Sequence, residues 1–189
     1  MSDSVPGGGP LLEVRDLKKY FDVPKGRLHA VDGLSFSIDA GKTLGMVGES
    51  GCGKSTTGRV LLRLHEPSSG SVRFDGVEVT GLPPEGLKEL RSRMQMIFQD
   101  PYASINPRHT VATIIGEPLR IFRKVRGGAE YEAKVRGLMD TVGLAGRLYD
   151  AYPHELDGGR RQRIGIARAL ALEPRFIVCD EPVSSLDVS

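Results

Sequence analysis

The stretch of residues 43–57 reads TLGMVGESGCGKSTT and joins an apolar run, a glycine-rich loop and a helix-like segment. Residues 43–47 predict a short buried strand, and residues 55–64 predict a helix. Between them, residues 48–55 (GESGCGKS) match the pattern GxxxxGK[ST] in full, in the strand–loop–helix context that it requires. Such a loop turns successive backbone N–H groups toward a phosphate, and the following helix adds its positive end. The stretch therefore predicts a nucleotide site.

Each residue type in this loop has a chemical reason to be there. The ammonium of Lys54 suits a bridge between the β- and γ-phosphates, and the Ser55 hydroxyl suits a ligand of Mg²⁺. Cys52 is interpreted as a tolerated small residue rather than a nucleophile. The predicted nucleotide-binding residues of the loop are Gly48, Glu49, Ser50, Gly51, Cys52, Gly53, Lys54, Ser55 and Thr56.

A second candidate site lies in residues 175–181, which read RFIVCDE. The apolar residues predict a buried strand that ends in two carboxylates. Asp180, at the strand end, is predicted to hold Mg²⁺ through water. Glu181 is predicted to point elsewhere and to accept a proton from the water that attacks the γ-phosphate. An acidic pair at a strand end is common on solvated surfaces, so this interpretation depends on the phosphate loop upstream.

The remaining pattern changes from strands to helices and back. Period-two alternation begins at Leu11, and a hairpin signal lies around Asp75-Gly76. Residues 94–98 (MQMIF) predict another strand. Residues 129–142 and 160–172 predict helices, the second with its arginines facing outward. This order indicates an α/β core with a helical insertion.

Composition excludes several classes of protein. Lys plus Arg number 26 against 24 Asp plus Glu, so charge gives no general attraction to nucleic acid. No apolar run approaches the ~18–20 residues of a membrane-spanning helix. The four histidines have no metal-ligand spacing. Cys52 and Cys179 lie far apart and form no CxxC pair, so the cysteine content favours a reduced, cytoplasmic compartment. Residues 1–10 are interpreted as a flexible leader.

Residues 155–169 (ELDGGRRQRIGIARA) resemble the LSGGQ signature of ATP-binding cassette (ABC) proteins. With the phosphate loop, Gln99 and residues 185–187 (SLD), the resemblance runs from about residue 11 to 189. It implies a P-loop NTPase (RecA-like) core, an N-terminal antiparallel β-subdomain and an inserted helical subdomain at about 100–160. It also implies ATP and Mg²⁺ as cofactors, with each ATP held between two ATPase subunits.

The resemblance assigns further roles. Asp157, Gly158 and Gly159 would contact ATP held by the other subunit, where a helix N-terminus meets phosphate. Gln99 would touch Mg²⁺ or the attacking water, and Asp187 would lie at the dimer interface. An aromatic residue ahead of the loop stacks on adenine in this family: Tyr20 is the first choice and Phe21 the alternative.

Three segments narrow the family resemblance: QDPYASINPR (99–108), YPHEL (152–156) and CDEPVSSLDVS (179–189). They are similar to ATPase subunits of oligopeptide, dipeptide and nickel importers. The resemblance implies hydrolysis-driven import, most directly of peptides, with nickel or another solute as alternatives. The implied partners are a second ATPase subunit, membrane permease subunits and, indirectly, an extracytoplasmic solute-binding protein, at the cytoplasmic face of the membrane. An ABC protein acting on nucleic acid or ribosomes is disfavoured because heptads, tandem cassettes and a basic patch are lacking, and a metabolic kinase would lack the signature.

The sequence departs from the family pattern in two places. Asp157 stands where serine is usual and Arg160 where glutamine is usual. A carboxylate that faces a phosphate repels it unless the carboxylate is protonated or paired, and Arg160 or Arg161 could pair with it. We therefore expect a slow or altered site. Only eight residues follow Glu181, and no histidine follows His154. This predicts a C-terminally incomplete domain lacking its last core strands, with weak Mg-ATP binding and poor hydrolysis alone; a non-catalytic nucleotide-binding fragment is the alternative.

Overall fold

A computed structural model describes residues 9–100 and 104–181. The chain divides into two compact units, Met1–Leu90 and Arg91–Ser189, and the boundary falls within one helix. Residues 1–8 of the predicted leader lie outside the described residues, and so does Asp187. The predicted domain limits stay predictions.

The first unit is built on an antiparallel sheet, as predicted. Its strands are β1 (Leu12–Val23), β2 (Gly26–Ile38), β3 (Ser69–Phe74) and β4 (Val77–Glu78), in the order β2-β1-β3-β4. The predicted hairpin is confirmed: Asp75 and Gly76 both have positive φ, 51° and 78°, which is the requirement of a tight two-residue hairpin turn. The first half of β1 and the end of β3 bury their apolar side chains: Leu12, Val14, Leu17, Val72 and Phe74.

Two helices complete this part of the chain. Helix α1 (Lys54–Leu61) follows the glycine-rich loop and buries Val60 and Leu61, while α2 (Pro84–Arg93) spans the boundary between the units. The predicted strand at residues 43–47 is wrong: this segment has no strand structure, and Val47 is 96% exposed. A buried strand needs a hydrogen-bonded neighbour, and among the described residues no strand pairs with this segment.

The second unit contains a parallel strand pair. Strand β5 (Met94–Ile97) pairs with β6 (Phe176–Cys179), in a register that joins Met94 to Phe176 and Ile97 to Cys179. Both strands were predicted. The predicted burial of β6 is wrong, because Phe176, Ile177 and Val178 are half-buried and Cys179 is exposed. Within the described residues β6 pairs with β5 alone, so its other edge is not covered by a strand.

The helices of the second unit pack around one apolar core. They are α3 (Val111–Ile121), α4 (Gly128–Thr141) and α5 (Gly158–Leu170), with single 3₁₀ turns at Gly146–Leu148 and Pro153–Glu155. The predicted helices at 129–142 and 160–172 are confirmed, and Tyr131, Val135 and Met139 form the buried stripe of α4. The expectation that the arginines of α5 face outward fails at Arg161. This side chain is buried, and its Nε donates a 2.6 Å hydrogen bond to the Pro153 carbonyl, which offsets part of the cost of burying the charge.

Candidate nucleotide-binding site

The glycine-rich loop ends where α1 begins. Gly51 and Gly53 have φ of 81° and 94°, values that favour glycine, and Gly53 is the N-cap of α1. Lys54 folds back over the loop, its Nζ donating 2.8 Å hydrogen bonds to the carbonyls of Gly48 and Glu49. Ser55 and Thr56 stand in the first turn, where backbone N–H groups have no partner within the helix. The predicted phosphate-binding residues are therefore gathered at one helix N-terminus, with a lysine across them.

Strand β2 lies directly against this loop. A Cβ at Gly53 would collide with the backbone carbonyl oxygen of Ala30, so glycine is required there for space as well as for conformation. The strand register skips Ala30: Lys19 pairs with Val31, while Tyr20 pairs with His29. This irregularity is a β-bulge, a feature that bends a strand and redirects its side chains. It occurs at the residue that contacts the loop.

Tyr20 and Phe21 are neighbours on β1, so they point to opposite faces of the sheet. The Tyr20 ring stacks on His29 with centroids 4.0 Å apart, and its hydroxyl donates a 2.5 Å hydrogen bond to Asp32 Oδ1. Phe21 instead meets His65 edge-on at 5.6 Å. Of the two aromatic candidates, Tyr20 is the one whose strand partner, His29, adjoins the bulge at the loop.

In the second unit, the predicted carboxylates Asp180 and Glu181 follow β6, and Gln99 follows β5. The Asp180 N–H donates to the Ile97 carbonyl at 2.9 Å and extends the ladder, and Gln99 Nε2 donates to Glu181 Oε2 at 2.7 Å. Asp180 is buried, whereas Glu181 is exposed with a φ of 45°. The two carboxylates thus occupy different environments. The sequence analysis did not predict the Gln99–Glu181 hydrogen bond. The signal that could have found it is parallel pairing of β5 and β6, because the carboxyl ends of parallel strands lie at the same edge of a sheet.

The signature-like segment forms the start of α5. Asp157 is its N-cap, and Oδ1 accepts a 2.7 Å hydrogen bond from the Arg160 N–H. The other oxygen lies 3.5 Å from Arg160 Nε, so of the two arginines considered as partners the structure pairs Asp157 with Arg160. Gly158 and Gly159 occupy the first turn and are half-exposed. A carboxylate at this position therefore has a local role, capping a helix.

The described residues contain no preformed metal-binding site made of protein ligands alone. Among residues 9–100 and 104–181, no group of three or more His, Cys, Asp or Glu side chains could hold a metal ion. The predicted Mg²⁺ ligands are a hydroxyl (Ser55), an amide (Gln99) and a carboxylate (Asp180), all oxygen donors of the kind that Mg²⁺ prefers. Mg²⁺ keeps several waters and binds together with substrate phosphates, so each of these oxygen donors suits it only alongside a nucleotide.

Solved structures with the same fold are ATP-binding cassettes. The dimeric post-hydrolysis structure of the cassette MJ0796 bound to ADP and Pi superimposes with a TM-score of 0.87 at 28% identity, covering 94% of this chain and 76% of that one. CbiO1 from Clostridium perfringens, part of the ABC transporter complex cbiONQ, gives 0.77 at 27% identity, covering 94% and 68%. The fold is therefore that of an ATP-binding cassette.

The sequence places the chain in a family. Residues 31–184 match the ABC transporter family, and the chain belongs to it. It is 56% identical to the oligopeptide transport ATP-binding protein OppF of Bacillus subtilis (strain 168), covering 95% of this chain and 59% of that protein. It is 46% identical to the dipeptide transport ATP-binding protein DppF of Haemophilus influenzae (strain ATCC 51907 / DSM 11121 / KW20 / Rd), covering 100% and 59%. The chain spans about three-fifths of the length of these curated relatives.

Proposed function

We propose that the chain is the ATP-binding part of a peptide importer, which binds and hydrolyses ATP to drive di- or oligopeptide uptake through membrane subunits. The observation that carries this proposal is the glycine-rich loop at the N-terminus of α1, where Lys54 Nζ donates hydrogen bonds to the carbonyls of Gly48 and Glu49. Two relatives named for oligopeptide and dipeptide transport support the choice of solute.

The proposed division of labour follows the chemistry of each group. The loop N–H groups and Lys54 bind the phosphates and offset their charge. Ser55, Gln99 and Asp180 are the proposed ligands of Mg²⁺, which when bound polarises the phosphate oxygens. Glu181 is the proposed acceptor of a proton from the attacking water, and the 2.7 Å bond from Gln99 fixes the orientation of its carboxylate.

The proposed partners are a second ATPase subunit and membrane permeases. A helix N-terminus favours negative charge, so the first turn of α5 at Gly158 and Gly159 is a suitable contact for ATP held by the other subunit. Support comes from MJ0796, whose cassette is dimeric. Within the described part of the chain, no helix has the length and apolarity to cross a bilayer. The proposed place of the chain is the cytoplasmic face of the membrane, on the permease subunits, and the relatives named as transport ATP-binding proteins support it.

The first experiment compares Lys54→Ala with Lys42→Ala, which removes a neighbouring lysine outside the loop. Mg-ATP affinity is measured by calorimetry, and circular dichroism checks that both variants fold. Lys54→Ala should weaken binding by about tenfold or more, because charge-assisted contacts to phosphate contribute about 1.5–3 kcal/mol. Lys42→Ala should stay within about twofold of the unchanged chain, the range of a surface substitution. Equal affinities of the two variants would contradict the proposed site.

A second experiment addresses the solute. Vesicles containing the ATPase with its permease subunits and a solute-binding protein are loaded with ATP and given a labelled oligopeptide. Uptake should require ATP and should stop with Lys54→Ala. If the vesicles took up nickel and no peptide, peptide would be the wrong solute and the nickel alternative would be supported.

A further inference from the structure

A positively charged loop joins α3 to α4. Residues 120–126 read RIFRKVR, with four basic side chains and no acidic one among them. Their backbone is fixed at the end of α3: the Lys124 N–H donates to the Leu119 carbonyl at 2.8 Å, and the Lys134 ammonium donates to the Lys124 carbonyl at 3.0 Å. The four basic residues are exposed: Arg120, Arg123, Lys124 and Arg126. We call residues 120–126 the basic loop.

The charge of the basic loop is not cancelled by its surroundings. Two carboxylates on α4 already have other partners. Glu130 lies 3.5 Å from the Lys134 ammonium, and Glu132 accepts a 2.8 Å hydrogen bond from the Arg136 guanidinium. Residues 117–136 hold six basic and three acidic residues, a net charge of +3, whereas the whole chain has +2. The expectation that the chain lacks a basic patch therefore fails here, because a balanced total hides a local excess.

Arg123 occupies a backbone position that favours glycine. It follows Phe122, the C-cap of α3, and has a φ of 52°. Its N–H donates to the Arg120 carbonyl and the next N–H donates to the Leu119 carbonyl. These are the two bonds of a Schellman motif, in which glycine usually takes the left-handed position. An arginine there costs stability relative to glycine, and packing does not explain it because the side chain is exposed.

An exposed apolar side chain adjoins these charges. Ile121, the last residue of α3, is 54% exposed, although isoleucine is among the residues most often buried. Basic side chains beside an exposed aliphatic one suit a membrane surface, where charges meet headgroup phosphates and the aliphatic group enters the acyl boundary. A nucleic acid offers phosphates without an apolar layer, and the aromatic residue of the loop, Phe122, is half-buried rather than open to stacking on bases.

We propose that the basic loop binds an anionic lipid surface. Arg123, Lys124 and Arg126 contact headgroup phosphates, and Ile121 enters the boundary beneath them. The inference rests on the proposed function in one respect, the place of the chain at the cytoplasmic face of the membrane. This contact adds to the attachment that the permease supplies, and it sets the orientation of α3 and α4 relative to the bilayer.

The test measures sedimentation of the chain with vesicles of phosphatidylcholine alone or with phosphatidylglycerol added. The unchanged chain should bind the anionic vesicles and detach at high salt, because salt screens exposed charges. The triple variant of Arg123→Ala, Lys124→Ala and Arg126→Ala should bind at least about tenfold more weakly, since each basic residue near an anionic surface contributes about fivefold. Arg120 is kept because its guanidinium packs 4.2 Å from the centroid of the Tyr131 ring.

A matched control removes three exposed charges from the first unit, through Arg15→Ala, Lys25→Ala and Arg73→Ala. Because distant charges are screened, this control should bind anionic vesicles within about threefold of the unchanged chain. Circular dichroism checks that both triple variants fold.

Two single variants separate lipid contact from a structural role. Arg123→Gly removes one charge and relieves the left-handed backbone, so it should weaken vesicle binding by about fivefold while raising the midpoint of thermal unfolding. Ile121→Ser keeps every charge and should weaken binding by about threefold or more, because less apolar surface enters the membrane.

Equal binding to neutral and anionic vesicles would overturn the inference, and so would equal losses in the triple variant and its control. Duplex DNA that bound the basic loop as tightly as anionic vesicles would also overturn it, as would a loss confined to binding of permease subunits in detergent. The affinity for Mg-ATP keeps the two proposals apart. Failure to bind vesicles with ATP binding intact rejects the lipid contact alone, whereas vesicle binding without ATP binding rejects the proposed function.

Discussion

The phosphate loop and the strand-end group of Gln99, Asp180 and Glu181 are built in opposite ways. The loop is made of adjacent residues, and its backbone N–H groups are the proposed phosphate ligands. Lys54 donates hydrogen bonds to carbonyls only five and six residues earlier in the chain. The strand-end group is made by side chains, and its central hydrogen bond joins residues 82 positions apart. A local turn can be formed by its own sequence, whereas the strand-end group exists only after β5 and β6 have paired. Substitutions in the phosphate loop and in the strand-end group should therefore impair different properties of the protein.

The largest effect is expected at the strand-end group. Glu181→Gln removes the proposed proton acceptor while leaving the loop intact, so single-turnover ATP hydrolysis should fall by about 10²–10⁴-fold with ATP affinity retained. The rate is measured with protein in excess over labelled ATP. Glu173→Gln, an exposed glutamate just before β6, is the matched control and should hydrolyse ATP at the unchanged rate. If both variants behaved alike, the role proposed for Glu181 would be wrong.

The next effect is expected at the loop, and it should appear in binding and stability rather than in the rate alone. Gly53→Ala combines a positive φ with a collision against Ala30, so it should cost at least about 2 kcal/mol of unfolding free energy and lower ATP affinity. Gly51→Ala has a similar φ but open space around its Cβ, so only about 1–2 kcal/mol of backbone strain is expected. Urea denaturation measures both. A Gly51→Ala variant as unstable as Gly53→Ala would show that the contact with β2 is unimportant.

The smallest effect on stability is expected at the start of α5. Asp157→Ala removes the cap and should cost about 0.5–2 kcal/mol, while Asp157→Ser, which keeps a capping oxygen, should be nearly neutral. Asp157→Ser should also raise ATP hydrolysis by the assembled transporter, because a hydroxyl can donate to phosphate, whereas the exposed pair with Arg160 offsets only part of the carboxylate's charge. Thermal denaturation and steady-state hydrolysis check the two parts. An unchanged hydrolysis rate would contradict the expectation that Asp157 makes the site slow.

The contrast between local and long-range construction also explains what the sequence predicted. The glycine pattern at residues 48–55, the Asp75-Gly76 turn and the stripe on α4 depend on neighbouring residues, and the structure has the expected loop, hairpin and helix. The strand at residues 43–47 was wrong because its hydropathy says nothing about a pairing partner. The Gln99–Glu181 bond and the contacts of Tyr20 with His29 and Asp32 were missed for the same reason, because each depends on strand register. The bulge at Ala30 has no signal in composition or spacing.

The pairing of β5 with β6 sets an order of events during synthesis. The hairpins of the first unit join nearby residues, so they can form as soon as they leave the ribosome. Strand β5 must wait for β6, because its partners are Phe176–Cys179 and the whole helical segment lies between them. At ~5–20 residues per second, the 82 positions from Gln99 to Glu181 take roughly 4–16 seconds to translate. During that interval the nascent chain carries a complete phosphate loop and an apolar strand without its partner, so β5 is a segment that needs protection from aggregation.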